Sequence, residues 1–177
     1  MILSIMKIIT YPENFLSRTA KPVTDINASI QNIIDSMALT MYKAPGVGLA
    51  AIQVGIDRSI IVYDISSNEE PQSLQVLINP KIIDREGEII SENEGCLSVP
   101  DFRAEVKRSA SIIVEGLDRD GNPKKIEAHD LLSIVLQHEI DHLNGILFID
   151  RISALKKNMY KKSIKKKQSQ NEYDQKK

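Results

Sequence analysis

The chain has one cysteine, three histidines and no tryptophan in 177 residues. A lone thiol, Cys96, cannot form an internal disulfide. This excludes a disulfide-stapled scaffold and fits a reducing compartment such as the cytoplasm. Aromatic residues make up only 5%, which weakens any reading based on stacking bases or sugars. No apolar run approaches the roughly 18 residues that a membrane-spanning helix needs. The opening MILSIMKIITYP has no basic stretch ahead of its apolar residues and no small-residue cleavage site, so it reads as neither signal nor transit peptide. The net charge is −1, which gives no overall field for nucleic acid or a membrane surface. Neither DNA nor a membrane is an expected partner.

Hydrophobic residues at 42% and charged residues at 27% are those of an ordinary globular chain of single-core length. Residues 5–9 form a short apolar run that reads as an opening strand. Ile26, Ile30, Ile33, Ile34, Met37 and Met41 follow steps of three and four, one face of an amphipathic helix. Asp25 is its expected N-cap and Pro45-Gly46 its stop. Residues 59–65, 74–79 and 109–115 are short, β-branched strands, and Glu86-Gly87 and Asp120-Gly121 are expected hairpin turns. A second helix is signalled over 130–143, with Asp130 as N-cap and Asn144-Gly145 as stop. This order indicates an α+β fold with largely antiparallel sheet.

The last 25 residues, 153–177, hold nine lysines against Glu172 and Asp174, a local charge of +7 against −8 for the rest. Leu155, Met159, Tyr160 and Ile164 space as one helix face, so 153–167 reads as a basic amphipathic helix followed by a loose tail. Two uses stay open: a solvated terminus, or a contact with an anionic surface such as RNA.

His138-Glu139-Ile140-Asp141-His142 is an H-E-x-x-H on the second predicted helix. Positions i and i+4 share a face, so both imidazoles can reach one cation, with Glu139 placed as general base toward a water on it. Leu131, Ile134 and Val135 form an apolar strip running into the histidines. A catalytic site needs a third ligand and an open position. Position 148, where a third histidine would complete one familiar pattern, is Phe, and the one downstream glutamate, Glu172, lies in the basic tail. The remaining candidate is Cys96, and Cys–His–His is a sound ligand set. Gly95 lets the backbone come close to the metal, and Pro100 is expected to end the strand carrying Cys96. His129 lies about two and a half turns before His138, too far to ligate with it. Asp141 would crowd His142 as a ligand and is expected in a supporting hydrogen bond or salt bridge.

The segment 46–55, GVGLAAIQVG, lacks the Lys-Ser/Thr of a phosphate loop. It reads either as a tight turn into a buried strand or as close approach of backbone to substrate, with the Gln53 amide as an oxyanion donor.

Together, GVGLAAIQ at 46–53, EGCLS at 94–98 and QHEIDH at 137–142 resemble the three motifs of the peptide deformylases, in that family's order and at its separations. The likeness extends over about residues 5–155. It implies mostly antiparallel β-sheets packed around a central helix that carries the H-E-x-x-H. A catalytic domain would span 1–152 and a basic C-terminal helix or tail 153–177, as in the bacterial type with such a helix. It implies hydrolysis of the formyl group from N-formylmethionyl nascent peptides, releasing formate. Cys96, His138 and His142 would hold one divalent metal, Fe²⁺ in cells, with Zn²⁺, Ni²⁺ or Co²⁺ able to replace it. Geometry alone would also suit Zn²⁺. Glu139 would move the proton, and Gln53 with the Leu97 backbone N–H would hold the oxyanion. Val47, Leu131, Ile134 and Val135 would line the methionine pocket, and Gly48, Gly95 and Arg103 would meet the substrate backbone or its approach. Family members work near the ribosomal exit, so the basic tail is a candidate ribosome contact that peptide turnover would not need. A metallopeptidase or other amidase with the same ligand set is the alternative.

Overall fold

The computed structural model describes residues 3–66 and 72–174. Helix α1 (Ala28–Lys43) starts at Asn27, whose side-chain oxygen accepts the Ser29 and Ile30 amides at 3.0 and 3.3 Å. The expected cap, Asp25, instead accepts from Asn27 Nδ2 at 2.9 Å and braces it. A cap oxygen must reach amides two and three residues onward, and Asn27 stands at that distance.

Strands β1 (Gly48–Ala50), β2 (Ile60–Tyr63), β3 (Gln75–Glu86), β6 (Ser111–Leu117) and β7 (Pro123–His129) form one antiparallel sheet in the order β1-β2-β3-β6-β7. Strands β4 (Ile89–Cys96) and β5 (Val99–Arg108) form a second, two-stranded sheet. Residues 5–9 form no strand. They are held by two isolated bonds, Met6 N–H to the Thr40 hydroxyl and Ile9 N–H to the Gln53 carbonyl. Asp120-Gly121 does turn the β6–β7 hairpin. Glu86-Gly87 does not make a hairpin: β3 pairs with β6 and β4 with β5, so this turn passes the chain between sheets. Strand β3 continues through Pro80 because a register shift between Ile78 and Lys81 spares the missing N–H.

The first sheet is covered on both faces. Leu49, Ile60, Val62, Val76 and Ile78 pack with Ile30, Ile34, Met37 and Met41 of α1. Their alternate neighbours Ala50, Ile61, Tyr63 and Leu77 pack on the other side with Val135, Leu136 and Ile140. Period-2 alternation thus sends each strand's side chains into two cores.

The second core is built on helix α2 (Asp130–Leu143), which packs against strands of both sheets and is buried from Val135 to Leu143. Its cap position is His129, without a side-chain bond, and Asp130 is the first helical residue. The helix ends at Asn144, and Gly145 follows at φ +72°, where a Cβ would lie 2.4 Å from the Ser17 carbonyl oxygen. Only glycine fits there.

Helix α3 (Ala154–Asp174) runs past Gln168, where a loose tail was expected. Its expected apolar face is divided. Tyr160 is 4% exposed and Ile164 half-buried against the body, whereas Leu155 and Met159 stand 73% and 64% exposed. Among the described residues, no helix is long and apolar enough to cross a membrane.

Candidate metal centre

Cys96 is the last residue of β4, at the tip of the β4–β5 hairpin. Its partner is Val99, so Leu97 and Ser98 form a two-residue connection. The strand therefore ends at that turn, and Pro100, its expected stop, lies inside β5. His138 and His142 project from adjacent turns of α2. Cys96 Sγ lies 3.1 Å from His142 Nε2, which lies 3.2 Å from His138 Nε2, and all three donor atoms fall within 4.8 Å of one another. Two imidazole nitrogens and a sulfur at this separation are the donor set of a divalent transition ion.

The orientation of His138 supports this. Its Nδ1 lies 2.7 Å from Glu94 Oε1, a contact that fixes the ring with Nε2 turned toward the cluster. Burial holds the His142 pKa well below the usual value, and the neutral imidazole is the form that binds a metal. His129 stands exposed at the mouth of α2, outside the cluster.

Behind the ligands lies a buried charge network. Arg108 grips Glu94 through two bonds, Nη2 to Oε1 at 2.5 Å and Nε to Oε2 at 3.1 Å, and reaches Asp141 Oδ2 at 2.6 Å. Asp141 is held from its other side by Arg151. Burial works to raise the Glu94 pKa, but His138 and Arg108 keep it at about 2. Sequence reading had placed Asp141 in such a supporting bond. It missed Glu94 and Arg108, although a carboxylate within EGCLS could have been paired with a histidine ring, because metal-binding imidazoles usually hydrogen-bond a carboxylate through their other nitrogen. Arg108 has no such local signal.

Glu139 is buried beside the ligands. Burial raises its pKa to about 7, with His138 opposing and Glu94 adding. Among the described residues, its Oε2 is buried without a hydrogen-bond partner. A Cβ on Gly48 would lie 2.4 Å from Glu139 Oε1, so the bare backbone at this position leaves space for the carboxylate. Gln53, in the single helical turn after β1, accepts the Ala50 N–H at 2.8 Å. Its amide nitrogen lies 3.2 Å from Ser98 Oγ and 3.4 Å from Cys96 Sγ.

A cleft of about 920 Å³ opens in front of this group. Gln53, Cys96, Leu97, His138 and Glu139 line its floor, and His142 lies behind at 0% exposure. Val47 and Leu131 form an exposed apolar rim, with Ile134 and Val135 below. Gly48, Gly95 and Arg103 line it too. The space that a Cβ on Gly95 would enter is filled by the Arg103 guanidinium at 3.2 Å, so what comes close to this glycine is a side chain of the neighbouring strand. Asn93, Asp101 and Phe102 complete the wall and were not anticipated.

Comparison with known proteins follows the same lines. A profile of the family described as polypeptide deformylase matches residues 5–158. The peptide deformylase of Thermodesulfovibrio yellowstonii is 52% identical over 165 residues, 93% of this chain and 99% of that one. The crystal structure of a peptide deformylase from Legionella pneumophila superposes with a TM-score of 0.85 at 42% identity, covering 94% of this chain and 97% of that one. That of Ehrlichia chaffeensis, in complex with actinonin, gives 0.86 at 37% identity, over 93% and 98%.

Replacing Arg108 by Ala would leave Glu94 and Asp141 buried without their shared cation. Urea unfolding is expected to show a loss of about 3–5 kcal/mol. A loss under 1 kcal/mol would mean that Arg151 and His138 suffice.

Proposed function

The chain belongs to the polypeptide deformylase family, and from this premise we propose how its own residues perform the hydrolysis. The reaction removes the formyl group from the N-terminal formylmethionine of nascent polypeptides and releases formate. The observation that carries the assignment of roles is the convergence of Cys96 Sγ, His138 Nε2 and His142 Nε2 within 4.8 Å at the base of a cleft that Cys96 and His138 line, with buried Glu139 alongside.

Cys96, His138 and His142 hold one divalent ion, which supplies a Lewis acid able to polarise the formyl oxygen and acidify water. Glu139, near neutrality in pKa, is suited both to take a proton from the attacking water and to give it to the leaving amine. The Gln53 amide and the Leu97 N–H donate to the oxygen that gains charge as the formyl carbon becomes tetrahedral. The methionine side chain enters among Val47, Leu131, Ile134 and Val135. Gly48, Gly95 and Arg103 border the path of the peptide backbone. The family likeness favours Fe²⁺ in cells, with Zn²⁺, Ni²⁺ or Co²⁺ as replacements, and a cytoplasmic location where new chains emerge. We assign 1–152 to the catalytic domain and 153–177 to a basic extension.

The exposed lysines of α3 support contact with an anionic surface, the ribosome being the candidate. Changing Lys161, Lys162, Lys165 and Lys166 together to Glu is expected to abolish salt-sensitive cosedimentation with ribosomes. Unchanged sedimentation would remove α3 from that role.

The reaction is tested by formate release from formyl-Met-Ala-Ser, with acetyl-Met-Ala-Ser alongside, on protein purified without oxygen and assayed for metal. Release from the formyl peptide alone, with one ion per chain, is expected. Bound metal with no formate released would redirect the reading to another amidase.

Glu139→Gln should retain the ion and lower turnover by about 100- to 10,000-fold. Loss of the metal together with activity would refute the proton-transfer role. Gly48→Ala, whose Cβ displaces the Glu139 carboxylate, is expected to lower turnover at least tenfold (~1.4 kcal/mol of barrier) while keeping the ion. Full activity in this variant would show that the carboxylate need not stand where the structure has it.

A further inference from the structure

The described side chains of helix α3 are almost all exposed, yet Tyr160 is only 4% exposed. Its ring lies 4.7 Å from that of Phe102, tilted by 32°, and 5.7 Å from that of Tyr11. Both neighbours belong to the frame of the cleft. Phe102 is part of the wall, and the Tyr11 N–H donates to the carbonyl of Ser98, two residues from Cys96. The aromatic contacts continue inward: Phe102 stacks on Phe148 at 6.0 Å and Phe148 on His138 at 6.2 Å. Two ion pairs fasten the helix to the same strand, Lys156 to Glu105 at 3.6 Å and Lys167 to Asp101 at 3.0 Å. Asp101 lines the cleft and sits at φ +60°, a conformation that neighbouring contacts must maintain.

Exposed ion pairs such as these hold little. The buried ring is the stronger contact, since aromatic pairs at such distances combine apolar burial with favourable ring geometry. The rest of the face offers little besides Ile164, with Leu155 and Met159 turned to solvent. The hydroxyl of Tyr160 is buried without a partner, so among the described residues the contact is made by the ring.

We propose that Tyr160 is a positioning residue for the deformylase cleft: its ring backs Phe102, and the C-terminal helix thereby holds the 101–103 wall against which the peptide binds. This inference rests on the deformylase reading. It departs from the expectation that residues 153–177 are dispensable for peptide turnover. Without the ring, Phe102 can retreat into the vacated space and the wall loosens. His138, held from its other side by Glu94 and through it by Arg108, stays in place.

The test is steady-state hydrolysis of formyl-Met-Ala-Ser by the metal-loaded full chain and by Tyr160→Ala, Tyr160→Leu and Tyr160→Phe, with metal content and Tm measured for each. Tyr160→Ala should raise KM about five- to tenfold with kcat within about twofold, the split expected when substrate binding alone is lost. Tyr160→Leu, which preserves apolar bulk and protects against failure to fold, should give an intermediate KM. Tyr160→Phe should match the parent. Hydrogen exchange at the amides of residues 101–103 should quicken in Tyr160→Ala and not in Tyr160→Phe. Unchanged KM in both the Ala and Leu variants overturns the proposal. So does a fall in kcat at constant KM, which is what a smaller folded fraction produces. If the parent itself releases no formate, the deformylase reading fails, and the exchange measurement still decides whether Tyr160 holds the wall.

Discussion

The guanidinium of Arg108 joins the two pieces from which the candidate metal centre is made. Cys96 stands on a hairpin of the small sheet and both histidines stand on α2, and no chain connection shorter than 40 residues links them. Arg108 binds Glu94 of the hairpin and Asp141 of the helix at once. Glu94 in turn holds His138. In a low-dielectric interior such charges are costly to bury and costlier to leave unpaired, so the network tolerates only the arrangement in which every member is satisfied. That arrangement brings the sulfur and both Nε2 atoms together.

Around this joint, the two-faced sheet supplies rigidity and the cleft supplies access. Strands β1 and β2 bury alternate side chains in opposite cores, which leaves little freedom to shift β1 along its partner. The position of Gly48 against Glu139 and of Gln53 beside Cys96 follows from that register. The same burial that fixes Glu139 also lifts its pKa toward neutrality, where a group can both accept and return a proton. Packing and reactivity are thus set by one environment.

The C-terminal helix brings two kinds of surface to this body. Most of its described lysines are exposed, whereas one tyrosine enters the aromatic cluster behind the cleft wall. A segment that carries its charge outward therefore also touches the cleft wall through a ring contact. The charge is legible in its composition; the ring contact is legible only in its docked position.

The catalytic motifs were legible in the linear chain because their spacing is local chemistry: two histidines four apart on a helix, a thiol in a glycine-flanked turn, an amide after a glycine-rich stretch. The long helices were legible for the same reason, since periodic burial of Ile30, Ile34, Met37 and Met41 repeats every three or four residues. Strands β4, β5 and β7 were harder to read. Segments such as SENEG and PKKIEAH carry little apolar alternation and become strands through their partners. Sheet membership, which sent Glu86-Gly87 between sheets and not into a hairpin, depends on pairings tens of residues apart. Arg108, Phe102 and Tyr160 likewise gain their roles only in three dimensions. The sequence by itself determined which atoms could ligate an ion and move a proton. The tertiary structure decided which buried charges orient them and which rings hold the cleft, because those contacts join residues that no local spacing relates.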